Sequence, residues 1–186
     1  MATTPTWPTR LISELDASDQ RARALVAGLA PERLNWQPSP ASWSIGQCLE
    51  HLCITGEVYL PPIMAALDDP PSATVEEITP GWFARWFIKS YIAPSPQTRK
   101  ASAPKKIAPS SRVELAVLDR FLRGNEATRQ LIRKAENVDV NRIRFQNPFI
   151  PVIRFTVGTG FEIIARHEDR HLLQAERVRE SSGFPK

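Results

Sequence analysis

Apolar residues near the start of the chain recur every three to four positions, with charged residues between them. Leu11, Leu15, Ala22 and Leu25 follow this spacing. An apolar stripe with this period is typical of a helix that buries one face. The pattern therefore predicts a first helix over residues 9–29, and the Pro- and Ser-rich stretch after it predicts a turn.

A second helix is predicted to begin at the sequence SIGQ. Ser44 can accept a hydrogen bond from the amide of Gln47 while the Gln47 side chain reaches back, an arrangement known as a capping box. Pro61 and Pro62 lack backbone donors, so we expect them to kink or end this helix. Its apolar stripe comprises Ile45, Leu49, Leu52, Gly56 and Leu60.

Two further helices are predicted in the second half of the chain, over residues 112–135 and 156–180. Helical spacing of apolar residues supports the third helix, and Pro148 and Pro151 keep the segment before the fourth extended. No segment with strand periodicity competes with these helices. We therefore predict a single all-α domain over residues 1–186, a four-helix bundle with a long Pro-rich, basic connector between the second and third helices.

The connector contains one periodic stretch, GWFARWFIKSYI, whose aromatic residues fall on one side of a short helix. Such a stripe can enter a membrane surface or cover a pocket. More often it forms a small satellite of the core, which is the interpretation we favour.

The same connector carries a concentration of positive charge. The net charge is +4, yet the segment from Ile78 to Val113 carries seven basic residues and no acidic ones, so the remainder of the chain is at −3. A basic segment can meet nucleic acid or an anionic substrate, but a solvated loop is the commoner outcome, and no nucleic-acid-reading module accompanies it. The basic residues are Arg85, Lys89, Arg99, Lys100, Lys105, Lys106 and Arg112.

The beginning of the chain lacks the apolar core of a signal peptide, and apolar residues nowhere run together at membrane-spanning length. Cys48 and Cys53 lie five residues apart on one predicted helix, where a disulfide would be strained, so free thiols in a reducing compartment are expected. These features predict a cytoplasmic protein without a membrane partner.

Candidate chemistry is concentrated in the only three histidines of the chain. His167 and His171 lie four residues apart in the sequence HEDRH, so both imidazoles fall on the same face of the fourth helix. If the second helix packs beside it, His51 supplies a third nitrogen. Three imidazoles with one coordination position left open are typical of a catalytic metal site.

Three neighbours of these histidines are further candidates. Glu168 is a candidate general base or simply a carboxylate on the helix flank. Cys48, one turn before His51, is a candidate fourth ligand or a small buried residue, and Gln174, one turn beyond His171, is a candidate pocket residue. HEDRH also matches the protease pattern HExxH, but a third ligand downstream of it, as that class requires, is absent.

The sequences WSIGQCLEHL and HEDRHLLQAERV, about 110 residues apart, resemble the two signature regions of the DinB/YfiT-like superfamily. The resemblance extends to the connectors and covers most of the chain. It implies a DinB-like four-helix bundle that binds a divalent metal, zinc or nickel first, through the positions matched here by His51, His167 and His171.

The resemblance also implies a range of functions. Relatives include thiol S-transferases and an isomerase that depends on a low-molecular-weight thiol, so a metal-dependent thiol transferase or detoxification enzyme is expected. A non-catalytic, stress-associated metal-binding protein and a metal-dependent hydrolase are the alternatives. A homodimer and a small-molecule substrate are expected partners.

Overall fold

Four long helices form the framework of the protein in the computed structural model, which describes residues 5–94 and 104–186. The elements in chain order are α1 (Trp7–Val26), α2 (Pro31–Leu34), α3 (Ile45–Ala66), α4 (Trp82–Phe87), a π-helical turn (Ile88–Ile92), a 3-10 turn (Lys105–Ile107), α5 (Val117–Lys134), β1 (Arg144–Gln146), β2 (Arg154–Thr156) and α6 (Val157–Arg179). α3 packs against α5 and α6, and α1 packs against the same two helices. The prediction of an all-α fold is confirmed.

Side-chain caps fix where the two helices that carry the histidines begin. The Ser44 Oγ accepts a hydrogen bond from the Gln47 amide at 3.1 Å, and the Gln47 Oε1 accepts one from the Ser44 amide at 3.0 Å. The predicted capping box at the start of α3 is therefore confirmed. At the start of α6, the Thr156 hydroxyl accepts from the Thr159 amide at 3.2 Å.

Pro61 and Pro62 were predicted to kink or end α3, and the second of these alternatives is wrong. The helix continues through Pro61 and Pro62 to Ala66. Each proline removes a helical hydrogen bond, which favours a break. Ile63 and Leu67 beyond them are at most 1% exposed, so burial of these side chains accounts for the continuation of the helix.

α5 begins at Val117, five residues later than predicted. The preceding segment is held by the Asn35 side chain, which accepts from the Val113 amide at 2.7 Å and donates to the Val113 carbonyl at 2.9 Å. These bonds use the backbone groups that a helix would need, so Val113 lies outside the helix.

A short antiparallel hairpin precedes α6, in a region where no strands were predicted. Phe145 of β1 lies opposite Phe155 of β2, and both are buried. The Asn147 Oδ1 shapes the turn by accepting hydrogen bonds from the Phe149 and Ile150 amides. Strands of three residues are too short to reveal a period in the sequence.

The apolar core is divided into two clusters by a layer of buried polar residues. The first cluster includes Trp7, Leu15, Ile63 and Phe161. The second cluster includes Leu49 and the apolar residues that pack around it. Between them, three of the long helices each turn buried polar side chains inward. This polar layer consists of Ser18 of α1, Asn125, Thr128 and Arg129 of α5, and Glu168 of α6.

The aromatic stripe of the connector is only partly buried. Phe83 and Phe87 stack on Phe155 of the hairpin, as a satellite of the core should. Trp82 is 76% exposed and Trp86 is 46% exposed, so the satellite-core interpretation is wrong for these two residues.

Some of the basic residues predicted in the connector lie outside the part of the chain that the structure describes. Arg99 and Lys100 lie outside the described residues, as does the Lys105 side chain. Among residues 5–94 and 104–186, no helix has both the length and the apolar content that crossing a bilayer requires.

Candidate metal centre

The three histidines converge between α3 and α6, which pack side by side. The Nε2 atom of His167 lies 3.3 Å from Nε2 of His51 and 3.1 Å from Nε2 of His171. Within the described ranges, these three residues form the one group of His, Cys, Asp or Glu with ligand atoms close enough to share a metal ion. The residues singled out from the sequence are thus brought together.

A backbone carbonyl fixes the orientation of His51. Its Nδ1 lies 2.8 Å from the carbonyl oxygen of Ile107 in the 3-10 turn. A carbonyl can only accept, so the Nδ1 of His51 carries the proton and donates it. The Nε2 of neutral His51 therefore presents a lone pair to the centre.

Gln174 fixes the orientation of His171 in the same way. The His171 Nδ1 lies 3.0 Å from the Gln174 Oε1, so the Nδ1 carries the proton and donates a hydrogen bond to this oxygen. The Nε2 of neutral His171 then also presents a lone pair to the other two rings. Gln174 contacts the site through this ring and orients it, and its role as a pocket residue stays a prediction.

The surroundings keep the three rings neutral. Burial is the main cause that lowers the pKa of His51 and of His167, and burial together with the neighbouring His51 lowers the pKa of His171 to about 3. A neutral imidazole is the form that ligates a metal. The electrostatics of the site therefore favour binding of a metal ion by the three rings over protonation of the rings.

The three histidines could hold a divalent cation, because their ligand atoms all lie within 4.8 Å of one another. Two imidazole nitrogens at roughly 2.0–2.1 Å from a tetrahedral zinc ion lie roughly 3.4 Å apart. The two distances from the His167 Nε2, 3.3 and 3.1 Å, are close to this value. Without a cation, the lone pairs of His51 and His171 face a third ring that has one proton at most to donate at Nε2.

Trp43 is a residue at this site that the sequence did not reveal. Its ring centroid lies 4.8 Å from that of His51 and 5.6 Å from that of His171. Its position immediately before the cap of the histidine-bearing helix was the available signal.

The cysteines stand apart from the centre. Cys48 is fully buried and Cys53 is 5% exposed, and burial raises the pKa of each thiol to about 12. Both stay protonated at neutral pH, whereas a thiolate is the form that ligates metals or attacks electrophiles. Cys48 lies outside the group of described residues that can share an ion.

Glu168 points into the polar layer. Its Oε2 lies 3.3 Å from the Nδ2 of Asn125, and it also accepts a hydrogen bond from Ser18. Burial raises the pKa of Glu168 to about 8. Its bonds are thus with α1 and α5, and its role as a general base stays a prediction.

Replacing Glu168 with Gln is expected to change how stability depends on pH. The pKa of about 8 in the folded protein lies above the unfolded value of 4.5, so the folded state holds an extra proton between these pH values. This contribution is complete below pH 4.5 and is lost as the pH rises through 8. The wild type should lose stability relative to Glu168→Gln at up to about 1.4 kcal/mol per pH unit.

Urea unfolding of both proteins across this pH range measures the difference. The histidines titrate alike in the two proteins, so their contribution cancels in the comparison. A constant difference in the free energy of unfolding from pH 4.5 to pH 8 would contradict the prediction.

A cavity of about 420 Å³ lies between α3, α5 and α6 and reaches the centre through His167. Gly56 and Gly124 line it, and a Cβ added at either residue would meet nothing within 4 Å. The walls include Phe121 and Ile163. A small molecule with an apolar part can therefore approach the histidines from inside the fold.

The chain is similar to known proteins over most of its length. The profile of the DinB superfamily matches residues 14–175, a range that contains all three histidines. The uncharacterized protein YuaE of Bacillus subtilis (strain 168) is 24% identical over 162 residues, which cover 83% of this chain and 88% of that protein. No solved structure matches the chain.

Proposed function

The chain belongs to the DinB superfamily, and on that premise we propose that it is a metal-dependent enzyme that transfers an external low-molecular-weight thiol to an electrophile. The observation that carries the proposal is the convergence of three imidazole Nε2 atoms at the end of an internal cavity. His51, His167 and His171 would hold the cation, with zinc or nickel as the first candidates.

When bound, such a cation supplies a Lewis acid that lowers the pKa of a group in its open coordination position. The protein's own residues prepare that position. The Ile107 carbonyl and the Gln174 side chain hold two of the rings in the ligating tautomer, and the Trp43 ring covers both of them. The centre is thereby preorganised and shielded from water on that side.

The thiol must come from outside the chain. Both cysteines are buried and stay protonated at neutral pH because burial raises the pKa of each to about 12. An external thiol can enter the cavity, whose lining includes Arg120 and the exposed Arg123. Arg120 is held by Glu57 in a bidentate pair at 2.6 Å, which leaves Arg123 to attract an anionic thiol.

A metal-dependent hydrolase is the second candidate, because Glu168 lines the same cavity as His167. In this alternative Glu168 would serve as the base for a water molecule. The hydrogen bonds of Glu168 to Ser18 and Asn125 favour a structural role instead.

We expect zinc- or nickel-loaded protein to accelerate the reaction of a small thiol with a halogenated aromatic electrophile. In that reaction the sulfur–carbon bond forms, the halide leaves and the thiol proton passes to solvent. Consumption of thiol should fall to the uncatalysed rate after chelation, and in His51→Ala. Arg123→Gln should raise KM for an anionic thiol and leave KM for a neutral thiol unchanged.

Three results separate the alternatives. Rates equal to background for all thiols, with hydrolysis of an ester panel that Glu168→Gln abolishes, would replace this proposal with the hydrolase. Stoichiometric metal without either activity would leave a metal-binding protein. Unchanged thiol consumption in His51→Ala would remove the histidine centre from the reaction.

A further inference from the structure

One exposed face of the α4 segment, the helix and the π-helical turn after it, combines tryptophans with basic residues. Trp82, Arg85, Trp86 and Lys89 are all exposed. Their spacing of three, four and seven residues from the first places them on one side of the segment. We call these four residues the Trp–Arg face.

The opposite side of the segment anchors it to the fold. Phe83 and Phe87 stack on Phe155, and Ala84 is 7% exposed. The carbonyl of Tyr91 accepts a hydrogen bond from Arg170 of α6 at 2.7 Å. The Trp–Arg face is therefore presented outward by a segment whose other side is fixed.

Exposed apolar side chains gather in the same half of the molecule. Met64, Ile150 and Val152 are 52%, 37% and 90% exposed. Their chain neighbours Ile63, Phe149 and Ile153 belong to or pack against the first apolar cluster, as do Phe83 and Phe87. Of the six large hydrophobic residues exposed within the described ranges, five therefore lie in this half.

We propose that the Trp–Arg face docks on an anionic lipid surface. Tryptophan prefers the boundary between lipid headgroups and acyl chains, and basic residues beside it pair with anionic headgroups. The charge is complementary, because the chain from Ile78 to Val113 contains no acidic residue. This proposal departs from the sequence-based expectation of a protein without a membrane partner.

The lipid surface suits this face better than a nucleic acid does. Only two cations lie on it, and they alternate with two tryptophans instead of forming a row of phosphate-binding groups. Docking would bring the α4 segment, and through Arg170 the histidine-bearing α6, to the surface where apolar electrophiles dissolve. The inference does not rest on the proposed chemistry of the centre.

The test is co-sedimentation of the full chain with vesicles of phosphatidylcholine alone and of phosphatidylcholine mixed with phosphatidylglycerol. The wild type should bind the mixed vesicles, should not bind the neutral ones, and should be released by salt. Arg85→Gln/Lys89→Gln should weaken binding about 30-fold, because each basic residue near such a surface contributes about 1 kcal/mol. Trp82→Ser/Trp86→Ser should lose both binding and the blue shift of tryptophan emission.

Arg23→Gln/Arg177→Gln is the matched control, since it removes two exposed charges from α1 and α6 on the other half of the molecule. It should bind like the wild type. The proposal would be overturned if the wild-type protein did not bind anionic vesicles, or if the tryptophan variant bound them as well as the wild type. So would a dimer that only the tryptophan substitutions dissociate, because the face would then join two copies of the chain.

Discussion

His51→Ala and His167→Ala are each expected to lose the bound divalent metal, with affinity reduced more than about 100-fold. Each substitution removes one of three converging Nε2 atoms. Changing a residue that only orients a ligand usually costs about 10- to 100-fold in affinity, so losing a ligand should cost more. Metal content by plasma mass spectrometry and titration of metal-free protein with zinc and nickel measure the effect.

Two variants serve as graded controls. Gln174→Ala keeps all three ligands but releases His171, so a loss of about 10- to 100-fold is expected. Cys48→Ala should keep full stoichiometry, because Cys48 lies outside the group of described residues that can share an ion. Metal retained in either histidine variant, or lost in Cys48→Ala, would refute the assignment of ligands.

Arg129→Met is expected to be the most destabilising single change in the polar layer, at about 3–5 kcal/mol. The Arg129 side chain is 8% exposed and pairs with Asp16 at 2.9 Å and with Asp19. Asp19 in turn accepts from Asn125, which also donates to Glu168. Removing the guanidinium leaves the Asp19 carboxylate, which is 17% exposed, without its main counter-charge.

Urea unfolding, with Arg133→Met as the control, tests this expectation. Arg133 lies one turn further along α5, is 53% exposed and meets Glu126 at 3.6 Å, so its loss should cost no more than about 1 kcal/mol. Adding Asp19→Asn to the Arg129→Met variant should restore part of the stability. Equal losses in the two methionine variants would show that the buried charge pairing is not the cause.

The histidine pair of α6 was predictable because two residues four apart must share a face of a helix. The participation of His51 was not fixed by spacing, since it depends on α3 packing beside α6, and the family resemblance supplied it. The role of the Ile107 carbonyl could not be predicted from the sequence. It lies 56 residues from His51 in a segment without periodicity, and only the folded connector brings it to the ring.

The polar layer and the path of α3 were missed for related reasons. Arg129 and Asp19 carry opposite charges on two helices, and their pairing depends on how those helices are rotated. The continuation of α3 past Pro61 and Pro62 reflects burial further along the helix, which outweighs a local preference.

The division of the core into two apolar clusters bears on how the protein opens. Amide hydrogen exchange reports cooperative units of local unfolding, and such units follow continuous packing. The polar layer interrupts that packing. In the metal-free protein, the amide hydrogens of the two halves can therefore exchange through separate local unfolding events. A cation shared by His51 of α3 and the two histidines of α6 would clamp both helices at this boundary, and would merge the two halves into one unit of slow exchange.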